Sequence, residues 1–180
     1  MPLEETVKIG EERLGVLIGP KGAVKKRIEK MTNTRIGVDS DDHSVTVRSA
    51  SAANPMGFYS ALHIVKAIGR GFSPEPALML ADADYSLEIV SIPEFAGTSE
   101  NQINNKKSRV IGRDGKIRSQ LEEVTDCRIS VYGKTVSIIG HINDIENAKR
   151  AVEDILSGAR FETVWRNQSK RRADESSTEW

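Results

Sequence analysis

Two tetrapeptides, Gly19-Pro20-Lys21-Gly22 and Gly112-Arg113-Asp114-Gly115, hold the residue types best suited to chemistry in this sequence. A Gly-x-x-Gly joint lets the backbone turn sharply and lets a ligand approach the main chain, because no Cβ stands in the way. The helix after such a joint presents unpaired N–H groups and the positive end of its dipole, which suits a phosphate. One such tetrapeptide is weak evidence, since many turns contain two glycines. Neither copy has the Gly-x-x-x-x-Gly-Lys-Ser/Thr spacing of a nucleoside-triphosphate loop.

The other reactive side chains form no constellation. His43, His63 and His141 belong to no motif with metal-ligand spacing. Asp82 and Asp84 fall in a stretch that reads as a linker, where solvated acids are expected. Cys127 is the single cysteine of the chain, which excludes an internal disulfide and a multi-cysteine metal site and agrees with a reducing compartment. No catalytic residue, metal or cofactor is therefore expected.

The elements around the two joints repeat. Aligned without a gap, LIGPKGAVKKRIEKMTNTRIGV and VIGRDGKIRSQLEEVTDCRISV pair Gly19 with Gly112, Gly22 with Gly115, Thr32 with Thr125 and Arg35 with Arg128. Val24, Ile28 and Met31 match Ile117, Leu121 and Val124, each trio at the i, i+4, i+7 spacing of one helical face. Ile36 and Val38 match Ile129 and Val131 in the alternation of half-buried strands. Each copy continues through a hairpin, acidic DSDDH in the first and short YGK in the second, into a second strand. A long closing helix follows, ending near Gly71 or Gly158. A strand candidate precedes each joint, Thr6 to Ile9 and Tyr85 to Ile92. Each unit thus reads strand, short helix, glycine joint, helix, strand, strand, helix. The polar run PEFAGTSENQINNKK ahead of the second joint is expected to be an exposed excursion, because of Pro93 and Gly97.

This frame resembles the KH domain of the type βααββα. Two such units of unequal length, with the long polar insertion and SRVIGRDGKIRSQLEEVTDCRISVYGKTVSIIG, resemble the archaeal two-KH-domain small-subunit ribosome-assembly, or rRNA-processing, family. The resemblance implies an α+β chain of two tandem type I KH domains, each a three-stranded antiparallel sheet packed on three helices. The boundaries expected are a first domain over 1–72, a linker over 73–84, a second domain over 85–160 and a polar C-terminal tail over 161–180.

The resemblance also implies that the glycine loop clamps about four nucleotides of single-stranded RNA. By position the clamps are Gly19, Pro20, Lys21 and Gly22, and Gly112, Arg113, Asp114 and Gly115. Lys25, Lys26 and Arg35 in the first unit, and Lys116, Arg118 and Arg128 in the second, complete the candidate RNA-binding set. The base groove would draw on Ile18, Val24, Ile28 and Ile36, and on Ile111, Ile117, Leu121 and Ile129, residues that the core also needs. The implied RNA is the region near the 3′ end of the small-subunit rRNA, bound alongside the endonuclease that trims that end and other pre-ribosomal proteins, by a monomer.

Charge separates the two copies. The chain holds 26 basic and 26 acidic residues, so a nucleic-acid face has to be a local patch. Lys21, Lys25, Lys26, Arg27 and Lys30 face only Glu29, whereas Asp114, Glu122 and Glu123 offset the cations of the second copy. Asp114 works against phosphate binding. The N-terminal MPLEETVKIG lacks a signal peptide's apolar run, and no stretch approaches roughly 18 apolar residues. A cytoplasmic protein with no membrane partner is expected. The alternative functions are a KH-based protein-interaction scaffold and a general RNA-binding or RNA-decay adaptor.

Overall fold

A computed structural model describes residues 1–178 and divides the chain into two compact units, Met1–Leu87 and Glu88–Trp180. The first unit begins with strand β1 (Glu4–Lys8), helix α1 (Glu11–Ile18) and a 3-10 turn at Pro20–Gly22. It continues with α2 (Ala23–Thr32), β2 (Thr34–Asp39), β3 (Ser44–Ser49) and α3 (Pro55–Gly69). The three strands are antiparallel in the order β1-β3-β2, and the register sets Ile36 opposite Val47 and Val38 opposite Val45. That alternation turns Val45 and Val47 inward, where both are fully buried with Ile28, Leu17 and Val65. Arg13 of α1 donates to the carbonyls of Ile68 and Phe72 at 2.7 and 2.6 Å, satisfying the unpaired end of α3.

The second unit repeats this plan with additions. Its elements are β4 (Tyr85–Ser91), which spans the boundary between the units, a helical turn α5 (Pro93–Ala96), α6 (Glu100–Ile111), a 3-10 turn at Arg113–Gly115, α7 (Lys116–Thr125), β5 (Arg128–Tyr132), β6 (Thr135–His141), α8 (Ile145–Leu156) and α9 (Phe161–Ser177). Its sheet order β4-β6-β5 matches that of the first unit. Val136 and Ile138 of β6 join Leu121, Ile129, Val152 and Leu156 in the core. The expected α+β architecture of two type I KH units is the one observed. Here Arg109 of α6 reaches the turn after α8, donating to Gly158 O at 3.1 Å and Ala159 O at 3.3 Å.

Three segments differ from expectation. The polar excursion before the second joint is helical: α6 holds its core side with Ile103 and Val110 alone, so its asparagines and lysines mask the periodicity. The stretch expected to be a linker with a short helical turn at most does form the short turns α4 (Pro74–Leu78) and a 3-10 turn at Met79–Ala81, but they pack into the first unit rather than standing free. Pro76, Ala77, Leu78 and Leu80 are buried there. The segment from 161 onward is α9 rather than a tail. It seats Val164, 2% exposed, in the core of the second unit, and its polar side chains complete the contact. Gln168 donates to Asn147 O at 3.3 Å, and Arg172 donates to Glu123 O at 2.8 Å at the end of α7. Residues 179 and 180 of the expected tail lie outside the described residues.

Cys127 is buried with its thiol pushed up to about 12, chiefly by desolvation, and it lies against Gly140. It is a packing residue. Among the described residues, no helix is long and apolar enough to cross a membrane, and no group of His, Cys, Asp and Glu is placed to hold a metal ion.

Candidate nucleic-acid interface

The two glycine joints have the same backbone shape. Gly19 has φ 71° and ψ 179° and Gly112 has φ 72° and ψ 179°. Lys21 and Asp114 follow at φ 54° and 56°, and Gly22 and Gly115 at φ 75° and 73°. Three of the four residues thus have positive φ. The first glycine lies in a region open essentially to glycine alone. A Cβ there would collide with Val24 in the first copy and stand 2.6 Å from Ile117 Cγ1 in the second. The last glycine is different, because a Cβ would meet nothing closer than Lys26 Cε at 3.8 Å or an Arg118 guanidinium nitrogen at 3.9 Å. The space over the end of the loop is open, as close approach of a ligand backbone requires.

A stability prediction follows from that asymmetry. Gly112→Ala combines a backbone penalty of about 1–3 kcal/mol with a similar cost of overpacking against Ile117, for an expected total of about 2–6 kcal/mol. Gly115→Ala should cost only about 1–2 kcal/mol, the left-handed penalty alone. Denaturant titration of the two variants measures the difference, and equal losses would contradict the packing role of the first glycine.

The candidate groove divides into two classes. Ile28, Ile36, Leu121 and Ile129 are at most 3% exposed and belong to the core. Ile18, Val24, Ile111 and Ile117 are half-buried beside the joints and keep surface for a base. Of the eight residues expected at the groove, burial thus leaves only these four with accessible surface. Burial of the other four fixes α2 on β2 and α7 on β5.

Two glutamates that were read from the sequence only as charges perform that positioning. Glu29 Oε1 accepts from Ile36 N at 2.8 Å and Glu122 Oε2 accepts from Ile129 N at 3.2 Å. Each thus occupies an outward N–H of an edge strand. Their identical place in the two copies was the available signal. The Glu29 bond also shows that β2 turns back alongside α2, which returns the β2–β3 hairpin toward the loop end.

The cations are arranged unevenly. Lys21, Lys26 and Arg35 are exposed and make no ion pair among the described residues, whereas Lys25 lies 3.8 Å from Glu29 and Arg27 3.2 Å from Glu75. Arg35 stands with Arg48 at a depression of about 500 Å³ along β2. The hairpin of this unit is acidic: Asp39 accepts from the N–H groups of Asp41 and Asp42, and the Asp42 carboxyl is held down by its hydrogen bond and charge contact with Lys8. In the second unit Arg113, Asp114 and Lys116 are exposed at the loop. Arg118 turns onto the edge strand, 3.4 Å from Ile129 O, and Arg128 lies 3.5 Å from Glu122.

Comparison with known proteins agrees with this architecture. Residues 86–173 match a family model described as a eukaryotic type KH domain (KH domain type I), and residues 4–54 match the KH domain model. A KH domain-containing protein of Methanocaldococcus jannaschii is 44% identical over 155 residues, covering 86% of this chain and 68% of its own. The RNA-binding protein pno1 of Dictyostelium discoideum is 27% identical over 112 residues, 62% of this chain and 47% of its own. Among solved structures, Dim2p of Pyrococcus horikoshii is similar with a TM-score of 0.85 and 41% identity, covering 93% of this chain and 99% of that one. A chain in the complex of a/eIF2alpha, aDim2p and rRNA from the same organism is similar with a TM-score of 0.87 and 40% identity, at 96% coverage of both. On the combined evidence of its repeated joints, its two sheets and these relatives, the chain belongs to the ribosome-assembly family of proteins with two KH domains.

Proposed function

We propose that this protein binds single-stranded RNA without catalysis, and that its RNA is the small-subunit rRNA near the 3′ end during subunit maturation. The observation that carries this reading is the identical, left-handed and outwardly open backbone of the two glycine joints, each placed between two half-buried apolar side chains. In this reading Gly19 to Gly22 and Gly112 to Gly115 hold the RNA backbone. Ile18, Val24, Ile111 and Ile117 support the bases, and Lys21, Lys25, Lys26, Arg35, Lys116, Arg118 and Arg128 add charge around the path. RNA of this type is recognised by splaying bases over an apolar surface while their edges are hydrogen-bonded. The similar Pyrococcus chain, from a complex that contains rRNA, supports the choice of RNA class. The 3′ region, monomeric action in the cytoplasm and a place beside the endonuclease that trims that end follow from the family resemblance.

Fluorescence anisotropy tests the reading with one RNA sequence in two states. The single strand should bind at least tenfold more tightly than the same strand annealed to its complement, because pairing removes the base edges. Equal affinity for the two would overturn it. A protein-interaction scaffold is the second reading, favoured by the exposed Met31, Met56 and Tyr59 of the first unit. It predicts no such preference.

A further inference from the structure

Building on the RNA-binding reading, we propose that the second unit holds a further phosphate subsite beside its clamp. Lys107 of α6 and Lys134 of the β5–β6 hairpin receive the backbone of the nucleotides that flank the clamped stretch. The two lysines line one pocket of about 520 Å³, with Asn104 and Gly133 also in its wall.

The position of Lys107 is unusual for a lysine. Ile103, Lys107 and Val110 follow the i, i+4, i+7 spacing of one helical face, and Ile103 and Val110 are buried at 4% and 0% exposure. In the gapless alignment of the two copies the position of Lys107 is taken by Leu14, a core residue 3% exposed. A cation in the place of a core leucine is tolerated only if its ammonium reaches a polar region. Lys107 is half-buried, and the accessible part of the residue lines the pocket. No described residue gives the side chain of Lys107 or Lys134 a hydrogen bond or ion pair. Glu100 is the pocket's one carboxylate among the described residues, so the lining is net cationic.

The pocket lies along the helix that leads into the clamp. Lys107 lies four residues before Ile111, on the same face of α6, and Gly112 follows directly. About 7 Å of helix therefore separates the lysine from the start of the clamp. Gly133, at φ 56° with nothing near its Cβ position, leaves the opposite wall low. The first unit lacks the arrangement: α1 has only 8 residues, and its hairpin carries Asp39, Asp41 and Asp42 where the second carries Lys134. An RNA strand leaving the second clamp along α6 thus meets two lysines, whereas the hairpin of the first unit offers carboxylates.

The test compares RNAs of clamp length, about four nucleotides, with the same RNA extended by four on its 5′ or its 3′ side. The wild-type protein should gain affinity from one extension. The double variant Lys107→Gln, Lys134→Gln should leave the short RNA unaffected. It should weaken that extended RNA roughly five- to tenfold and flatten its log affinity against log salt slope by about 0.7–1.4. Equal losses on short and extended RNA, or none on either, would overturn the subsite while leaving RNA binding intact. Unchanged RNA affinities together with loss of binding to a glutamate-rich peptide would overturn it in favour of a protein's acidic segment. If the wild-type chain binds no single-stranded RNA of any length, the RNA-binding reading fails and the subsite with it.

Discussion

Replacing Pro20 and Lys21 together with aspartate should lower single-stranded RNA affinity by roughly tenfold or more at low salt without altering the folded state. Folding is spared because Asp114 already holds the backbone conformation of Lys21, φ 56° and ψ 27° against 54° and 28°. Aspartate is also among the non-glycine residues that best tolerate the left-handed region. The new loop, Gly-Asp-Asp-Gly, puts two carboxylates where the clamp places phosphate and removes one cation. Losing one or two phosphate contacts should flatten the salt slope by about 0.7–1.4. The single change Arg113→Asp gives the second loop the identical sequence, so the two chains compare the units directly. Composition alone ranks the first unit higher, through its run of cations. With Arg27 beside Glu75 and Lys25 beside Glu29, and with an acidic hairpin returning toward the first loop, Arg113→Asp should cost more on RNAs long enough to reach Lys107 and Lys134. Anisotropy titrations at several salt concentrations, with circular dichroism of each variant, give both quantities.

Ending the chain after Arg160 should destabilise the second unit by about 3–5 kcal/mol. Removing α9 exposes the core surface under Val164, worth about 1.5–3 kcal/mol for a fully buried side chain of that class. It also removes the Arg172 bond to Glu123 O and the Gln168 bond to Asn147 O, each contributing about 1 kcal/mol net. For a domain of this size the loss corresponds to a fall in Tm of roughly 12–40 °C, read by thermal melting. An unchanged melting curve would mean that α9 lies on the unit without supporting it.

That helix also marks where the sequence was hard to read. The two glycine joints, the helices after them and the strands Arg128–Tyr132 and Thr34–Asp39 were legible because apolar spacing and repetition agreed. Ile28 and Leu121 are fully buried as their helical faces require. Met31 and Val124 show the limit of that logic. They occupy equivalent positions, yet Met31 is 48% exposed and Val124 4%, since α9 packs beside α7 in the second unit. A helix seated by Val164 and otherwise by Gln168 and Arg172 has almost no hydrophobic period to detect. The same holds for α6, where Lys107 interrupts the apolar stripe. Glu29 and Glu122 were visible as charges, but their bonds to edge-strand N–H groups depend on β2 and β5 turning back beside their helices.

The claim that both glycine joints hold RNA is tested most directly by backbone amide NMR of the 15N-labelled protein titrated with a single-stranded RNA from the 3′ end of small-subunit rRNA. The account predicts the largest shifts at Gly19, Lys21, Gly22, Gly112, Arg113 and Gly115, with smaller ones at Ile18, Val24, Ile111 and Ile117. Saturable shifts confined to other surfaces, with these amides unmoved, would contradict it.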